Sequence, residues 1–348
     1  MTKKKEAALL KSIVEDRNVR REITRKSHRW FFSVFLSHYM THKIALFHEE
    51  MFRLTEDTEH KLIVVMAFRG SGKSTIMNLS YALWSILGVQ EKRFVLIVSK
   101  TQSQAKGHLN NIRNELEHND LLKIDLGPFE TDETSWGTSS LVLTKMDARI
   151  MATSREQSIR GIRHGQHRPD LIICDDIEDS LSVRMQEDRD TAYQWLMSEI
   201  MAAGDINTNV IVLGNLLHGN SLLMRLRDYI ALKTVKGIFK TYPLLDDNGR
   251  ILWQGKFSKK DIRELEGGVP DSGVWEREYL LRYTSEHQRM PFLRSGNGKG
   301  RETPEKNPYP TQTLGKYQIS TPKESFRAFA EIIRRLQEED KDRDDEES

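Results

Sequence analysis

The run Leu62-Ile63-Val64-Val65-Met66, followed at once by Ala67-Phe68-Arg69-Gly70-Ser71-Gly72-Lys73-Ser74-Thr75, constrains this chain more than any other stretch. An unbroken apolar run with no polar alternation predicts a strand buried on both faces, as in the centre of a parallel sheet. The glycines at 70 and 72 let the following turn bring several backbone N–H groups close to an anion. The helix-forming run Ile76 to Ile86 then points its positive end at the same place. Together these pieces predict a cradle for a triphosphate. Residues 69–75 would line it, Lys73 would reach the β and γ phosphates, and the Ser74 hydroxyl would complete the coordination of Mg2+. The pattern G-x-x-x-x-G-K-[ST] has its first glycine where this chain has Ala67, and Arg69 is an arginine built into the loop.

A loop that hydrolyses ATP needs carboxylates from a second strand. Leu171-Ile172-Ile173-Cys174-Asp175-Asp176-Ile177-Glu178-Asp179 supplies them. Asp175, at the carboxyl end of the apolar run, is expected to hold the metal through water, and Asp176 or Glu178 to polarise the attacking water. A Glu often follows the metal-binding Asp in such ATPases, whereas Asp176 is one methylene shorter, so the catalytic role stays divided between the two. The plain alternative is an acidic, solvated helix start after a core strand. The Lys73 turn and the acids at 175 and 176 are expected at adjacent strand ends.

A third strand, Asn209-Val210-Ile211-Val212-Leu213, ends in Gly214-Asn215. That amide is either a sensor of the γ-phosphate or part of an ordinary Gly-Asn turn. Ahead of the carboxylate strand, residues 155–170 form a basic, Gly-rich loop holding Arg155, Arg160, Arg163 and Arg168. Its arginines suit a phosphate across a subunit interface, a DNA backbone, or a decorated surface loop. Phe47, His48 and Phe52 lie where a side chain could touch a base, although their spacing fits packing better.

Net charge is +2, so no global basic field announces a nucleic-acid partner, and the charge is local instead. Lys3-Lys4-Lys5 and Arg17 to Arg29 open the chain, and Glu338 to Glu347 closes it; both ends read as solvated arms. A lone cysteine, Cys174, excludes an intrachain disulfide and a Cys-rich zinc site, and suits a reducing compartment. The longest apolar run falls far below the roughly 18–20 residues that cross a bilayer.

Strand-like runs at Leu62–Met66, Phe94–Ser99, Leu171–Cys174, Val210–Leu213 and Ile238–Tyr242 alternate with helical ones at Ser74–Leu87, Ser103–His118, Met185–Ala202 and Ser221–Ile230. This alternation predicts an α/β fold with a mostly parallel sheet flanked by helices. Leu141–Thr144 and Arg149–Ala152 read as a local antiparallel hairpin. The expected division is an N-terminal helical region at 1–55, a core at 56–250, a helical linker at 251–290, and a low-order tail at 291–348 with one amphipathic helix at Phe326–Glu339 and an acidic end.

Four stretches in this order, FRGSGKST, IRGIRHGQHRPDLIICDDIED, VIVLGNLLHGNSLLMRL, and LWQGKFSKKDIRELE with WEREYLLRY behind it, resemble the large terminase subunit, the DNA-packaging motor of tailed bacteriophages. The resemblance covers about residues 40–290. It implies a P-loop NTPase fold of the ASCE type, with ATP and Mg2+ as cofactors. Lys73 and Ser74 would bind phosphate and metal, Arg69 would be the loop arginine, and Asp175 the metal aspartate. Gly214 and Asn215 would be the motif that couples hydrolysis to DNA movement, although a Thr is frequent at the latter place, and Arg160 would be offered to a neighbouring subunit. The implied partners are double-stranded DNA, a portal protein, a small terminase subunit and a ring of like subunits on the capsid, with no membrane. The implied setting is the host bacterial cytoplasm and, transiently, the procapsid portal. Terminases usually continue into a nuclease domain, a fold of on the order of 150 further residues. Since 58 residues follow Met290, the chain is expected to lack its own nuclease, which would be a separate polypeptide, lost, or cut off by a split gene. The alternatives are another DNA-dependent ATPase, of helicase or recombination type, or a weakly hydrolysing ATP-binding adaptor for a separate nuclease.

Overall fold

A computed structural model describes residue 13 and residues 15–39, 41–129, 136–269 and 271–283. The basic start at 3–5, the tail from 291 and its amphipathic helix lie outside the described residues. The fold is mixed α/β, built on a seven-stranded sheet. Its strands are β1 (Leu62–Ala67), β2 (Phe94–Ser99), β3 (Ser140–Leu143), β4 (Ala148–Ser154), β5 (Leu171–Asp175), β6 (Asn209–Gly214) and β7 (Ile238–Tyr242). They lie in the order β3-β4-β2-β5-β6-β1-β7, and every neighbouring pair is parallel except β3 with β4, the expected hairpin.

The glycine loop and the acids, expected at adjacent strand ends, are separated by a strand. β6 lies between β1 and β5, with Val64 paired to Val212 and Ile173 to Ile211. The glycine loop and the acids therefore leave strands two places apart, about 10 Å at the usual strand spacing. The gap is spanned by side chains, from the end of β6 and from the helical run that follows the loop. Nothing in three isolated apolar runs specifies which is the middle one.

The unbroken apolar runs split cleanly by alternation. Ile63, Val65, Ile97, Ile173, Ile211 and Leu213 pack on one face, and Leu62, Val64, Leu96, Ile172, Val210 and Val212 on the other. The first face is covered by α1 (Arg17–Lys26), α2 (His28–Phe35), α3 (Leu46–Glu56), α4 (Tyr81–Leu87) and α5 (Gln102–His118); α6 (Asp120–Leu126) packs behind them. The second is covered by α7 (Gln186–Trp195) with its continuation to Ala203, and by α8 (Leu222–Ala231).

The helical start is broken where the sequence suggested continuity. Asp16 caps α1 by accepting from the Asn18 and Val19 N–H groups, and Ser27 ends α1 and caps α2. The run Ser74–Leu87, expected as one helix, opens with a wide turn over Thr75–Ser80, in which the Tyr81 N–H reaches back five residues to the Ile76 carbonyl. After β7 come α9 (Lys259–Gly267) and α10 (Ser272–Glu278). This segment is bound to the core: the Trp253 indole donates to the Lys43 carbonyl at 2.7 Å, and Leu244 N–H to the Tyr279 carbonyl at 2.8 Å. Among the described residues no helix is long and apolar enough to cross a membrane.

Candidate functional site

The glycine loop leaves the carboxyl end of β1 with Gly70 at φ +78° and Gly72 at φ +83°, conformations costly for any side-chain-bearing residue. Lys73, Ser74 and Thr75 begin the following helical run, whose first N–H groups have no partners within the helix. Two side chains from distant segments hold the loop from outside. His48 is buried; its Nδ1 accepts from the Ala45 N–H at 3.0 Å, which leaves Nε2 protonated to donate to the Ser71 carbonyl at 2.7 Å. Burial lowers the His48 pKa to about 4, with nearby Lys256 and Arg29 acting in the same direction and the Ser71 bond opposing them. Lys256 donates to the Gly70 carbonyl at 3.0 Å while lying over the Trp253 and Phe257 rings, and partial burial lowers its pKa.

Arg69 is turned to α10. Its N–H donates to the Glu278 carbonyl at 2.9 Å, and its guanidinium pairs with the Glu278 carboxylate at 2.8 Å.

Asp175 ends β5 and is 1% exposed. Its Oδ2 accepts from Asn78 Nδ2 at 3.1 Å and lies 3.6 Å from His108 Nε2, while its Oδ1 is buried with no hydrogen-bond partner. The chain turns abruptly at Asp176, a non-glycine residue at φ +49°, whose N–H donates to the Leu213 carbonyl at 3.2 Å. Such a conformation is uncommon, and Asp is among the few residues that adopt it readily. Asp176 is exposed to solvent on one side, and the protein packed around the other side of its carboxylate raises its pKa; Lys73 opposes that rise, and the neighbouring charge of Asp175 adds to it.

Glu178, the other candidate, is engaged elsewhere. Its Oε2 accepts from the Leu222 N–H at 2.8 Å, so it caps the start of α8, where Ser221 makes no side-chain cap. Burial raises its pKa also.

At the end of β6, Asn215 Oδ1 accepts from Lys73 Nζ at 2.7 Å. A Cβ on Gly214 would lie 2.7 Å from Leu223 Cδ1 and 3.6 Å from Asp176 Oδ1, so the small residue is what lets α8 and Asp176 close on the strand end. The structure thus brings together Lys73, Asp175, Asp176, Gly214 and Asn215. Arg160 is not joined to them: its guanidinium pairs with Glu199 at 2.5 Å. Phe47 and Phe52 are core residues.

Sequence reading did not find Asn78, His108, Lys256 or Glu278, and it weighed His48 only as a base contact or as packing. Asn78 and His108 sit on runs whose helical pattern is visible, but no local signal says that they face Asp175.

The donor set suits a magnesium nucleotide. Asp175 offers a buried, unpartnered carboxylate oxygen, and Ser74 follows the buried Lys73 at the helix start. Among the described residues no group of three or more His, Cys, Asp or Glu could hold a metal by itself. Mg2+ keeps several waters and takes phosphate oxygens in such sites, so a single protein carboxylate with one hydroxyl is a sufficient protein share.

No family model matches the chain, and no curated protein matches it. Among solved structures, it is similar to the HK97 bacteriophage large terminase, with 14% identity, a TM-score of 0.48, and coverage of 69% of this chain and 50% of that one. It is similar to the Thermus phage P74-26 large terminase ATPase domain, with 14% identity, a TM-score of 0.47, and coverage of 73% of this chain and 97% of that one. It is also similar to the large terminase of the thermophilic bacteriophage D6E in complex with ADP, with 12% identity, a TM-score of 0.43, and coverage of 64% of this chain and 48% of that one. The chain spans about half the length of the HK97 and D6E proteins.

Proposed function

We propose that this chain is an ATPase motor subunit that hydrolyses ATP to move double-stranded viral DNA into a procapsid. The observation that carries the reading is the meeting of Lys73 and Asn215 beside the paired acids at 175 and 176. Lys73 would bind the β and γ phosphates against the N–H groups of residues 70–75. Ser74 and Asp175 would hold Mg2+, which when bound neutralises charge on the phosphates. Asp176 is the better placed of the two candidate acids. Lys73 acts electrostatically on its carboxylate, whereas Glu178 is committed to α8. Its raised pKa suits a group that takes a proton from, or orients, the attacking water. Asn215 would report the γ-phosphate, because a phosphate that draws Lys73 away frees the amide at the end of β6.

The wider setting is proposed from the motif resemblance: duplex DNA, a portal protein, a small terminase subunit and a homo-oligomeric ring in the bacterial cytoplasm and at the procapsid portal. Arg69 and Arg160, now paired with Glu278 and Glu199, are proposed to reach phosphate only after those pairs open. A weakly hydrolysing adaptor is the second reading, and the diversion of Glu178 to Leu222 favours it over a helicase.

The test is ATP hydrolysis with and without linear duplex DNA. Asp176→Asn should lower turnover by roughly 10²–10⁴-fold, Glu178→Gln should leave it within a few-fold of wild type, and Lys73→Ala should abolish it. Loss with Glu178→Gln but not Asp176→Asn would reverse the assignment, and nucleotide binding without turnover in the wild type would leave the adaptor.

A further inference from the structure

The wide turn at Thr75–Ser80 sits directly behind the glycine loop, and Asn78 within it is fully buried. A bond closing over five residues in place of four adds a residue to that turn, changing which side chains face the sheet; such turns recur at functional sites. Here the residue facing the sheet is a polar amide, and its contact is the carboxylate of Asp175 at 3.1 Å. The amide nitrogen is the atom that faces it, donating to Oδ2.

The two oxygens of Asp175 are therefore in different states. Oδ2 accepts from Asn78 and has His108 Nε2 at 3.6 Å, whereas Oδ1 is buried without a partner. A buried carboxylate oxygen left unpaired is costly unless a ligand satisfies it. The Asn78 Oδ1 is unpaired as well, so the amide gains no second bond that would explain its burial as simple packing.

We propose that Asn78 is a positioning residue for Asp175: it holds Oδ2 so that Oδ1 is the oxygen presented to the magnesium of a bound nucleotide. This rests on the nucleotide site proposed above. Because Asn78 belongs to the helix that the glycine loop begins, the same bond ties the end of β5 to the phosphate-binding element across the intervening β6. Asn78 would then act on metal affinity and leave direct contacts with phosphate unchanged.

The test is binding of a fluorescent ATP analogue to the full chain, once with Mg2+ and once with EDTA, for wild type and Asn78→Leu. The ratio of the two affinities reports the metal's share. Removing a residue that orients a metal ligand typically costs 10–100-fold in metal affinity. The ratio should therefore fall by about tenfold or more in Asn78→Leu, with the EDTA affinity unchanged. If the leucine variant fails to fold, Asn78→Ser, whose hydroxyl is too short to reach Asp175, should show the same fall. An unchanged ratio, or equal losses with Mg2+ and EDTA, would overturn the proposal while the nucleotide site stands. A wild type that binds the analogue in neither buffer would overturn the nucleotide reading and this inference with it, and one that binds equally in both would overturn this inference alone.

Discussion

His48 offers a direct test of how the glycine loop is held. The side chain is 3% exposed and spans two backbone groups, accepting from Ala45 N–H and donating to the Ser71 carbonyl. Its ring also meets Trp253 edge-on at 4.5 Å between centroids. Leucine in its place keeps much of the apolar volume but removes both bonds. The buried Ser71 carbonyl costs roughly 1–3 kcal/mol when left unpaired and the half-buried Ala45 N–H less, so the substitution should destabilise the fold by about 1–4 kcal/mol in all. The Ser71 share falls on the loop itself, because that carbonyl sits between the two left-handed glycines. Once released, its peptide plane can turn and spoil the alignment of the N–H groups. If binding must restore that alignment, the same 1–3 kcal/mol appears as a loss of nucleotide affinity of about 5- to 150-fold. Titration of a fluorescent ATP analogue near pH 7.5, beside urea unfolding of the same samples, measures both quantities. Weakened stability with nucleotide affinity within twofold of wild type would refute the idea that His48 shapes the loop, and unchanged stability would refute the bonds themselves.

Two further outcomes follow from buried polar groups. Burial lowers the His28 pKa to about 3 and is the main cause of the His48 value of about 4, against about 6.5 for an exposed ring. Below that value the unfolded chain binds protons that the folded chain refuses, so their contribution is complete above about pH 6.5 and is lost as pH falls toward the folded values. Each imidazole adds a slope of about 1.4 kcal/mol per pH unit inside its window. Urea midpoints should drop between pH 7 and 5, and less so in His28→Gln; an equal drop in that variant would contradict the assignment. Separately, Asp125 on α6 takes a two-pronged contact from buried Arg20 on α1, at 2.5 and 2.8 Å. Asp125→Ala removes both contacts and leaves the buried guanidinium without its counter-charge, although its bond to the Ile13 carbonyl at 3.2 Å remains; it should cost roughly 3–5 kcal/mol in urea unfolding, leaving nucleotide affinity unaltered, and a loss under 1 kcal/mol would show that solvent reaches the pair.

What the residues alone determined is local. Unbroken apolar runs at 62–66, 94–99, 171–174 and 210–213 specify buried strands, because burial on both faces demands it; β2 coincides with its run, and the other three strands extend theirs by a residue at one or both ends. The glycines at 70 and 72 mark the tight turn, because left-handed backbone disfavours side chains. Strand order is another matter. Parallel neighbours are chosen by crossovers, and no residue in β6 announces that it lies between β1 and β5. Only that order puts Asn215 against Lys73, 142 residues earlier in the chain. Only packing turned Glu178 to the start of α8 in preference to the loop, since the orphan N–H of Leu222 offered it a buried donor. The same holds for Asn78, His48 and Lys256. Their roles come from unpaired backbone and carboxylate atoms that distant segments bring within hydrogen-bonding distance, and a one-dimensional pattern carries no record of those distances.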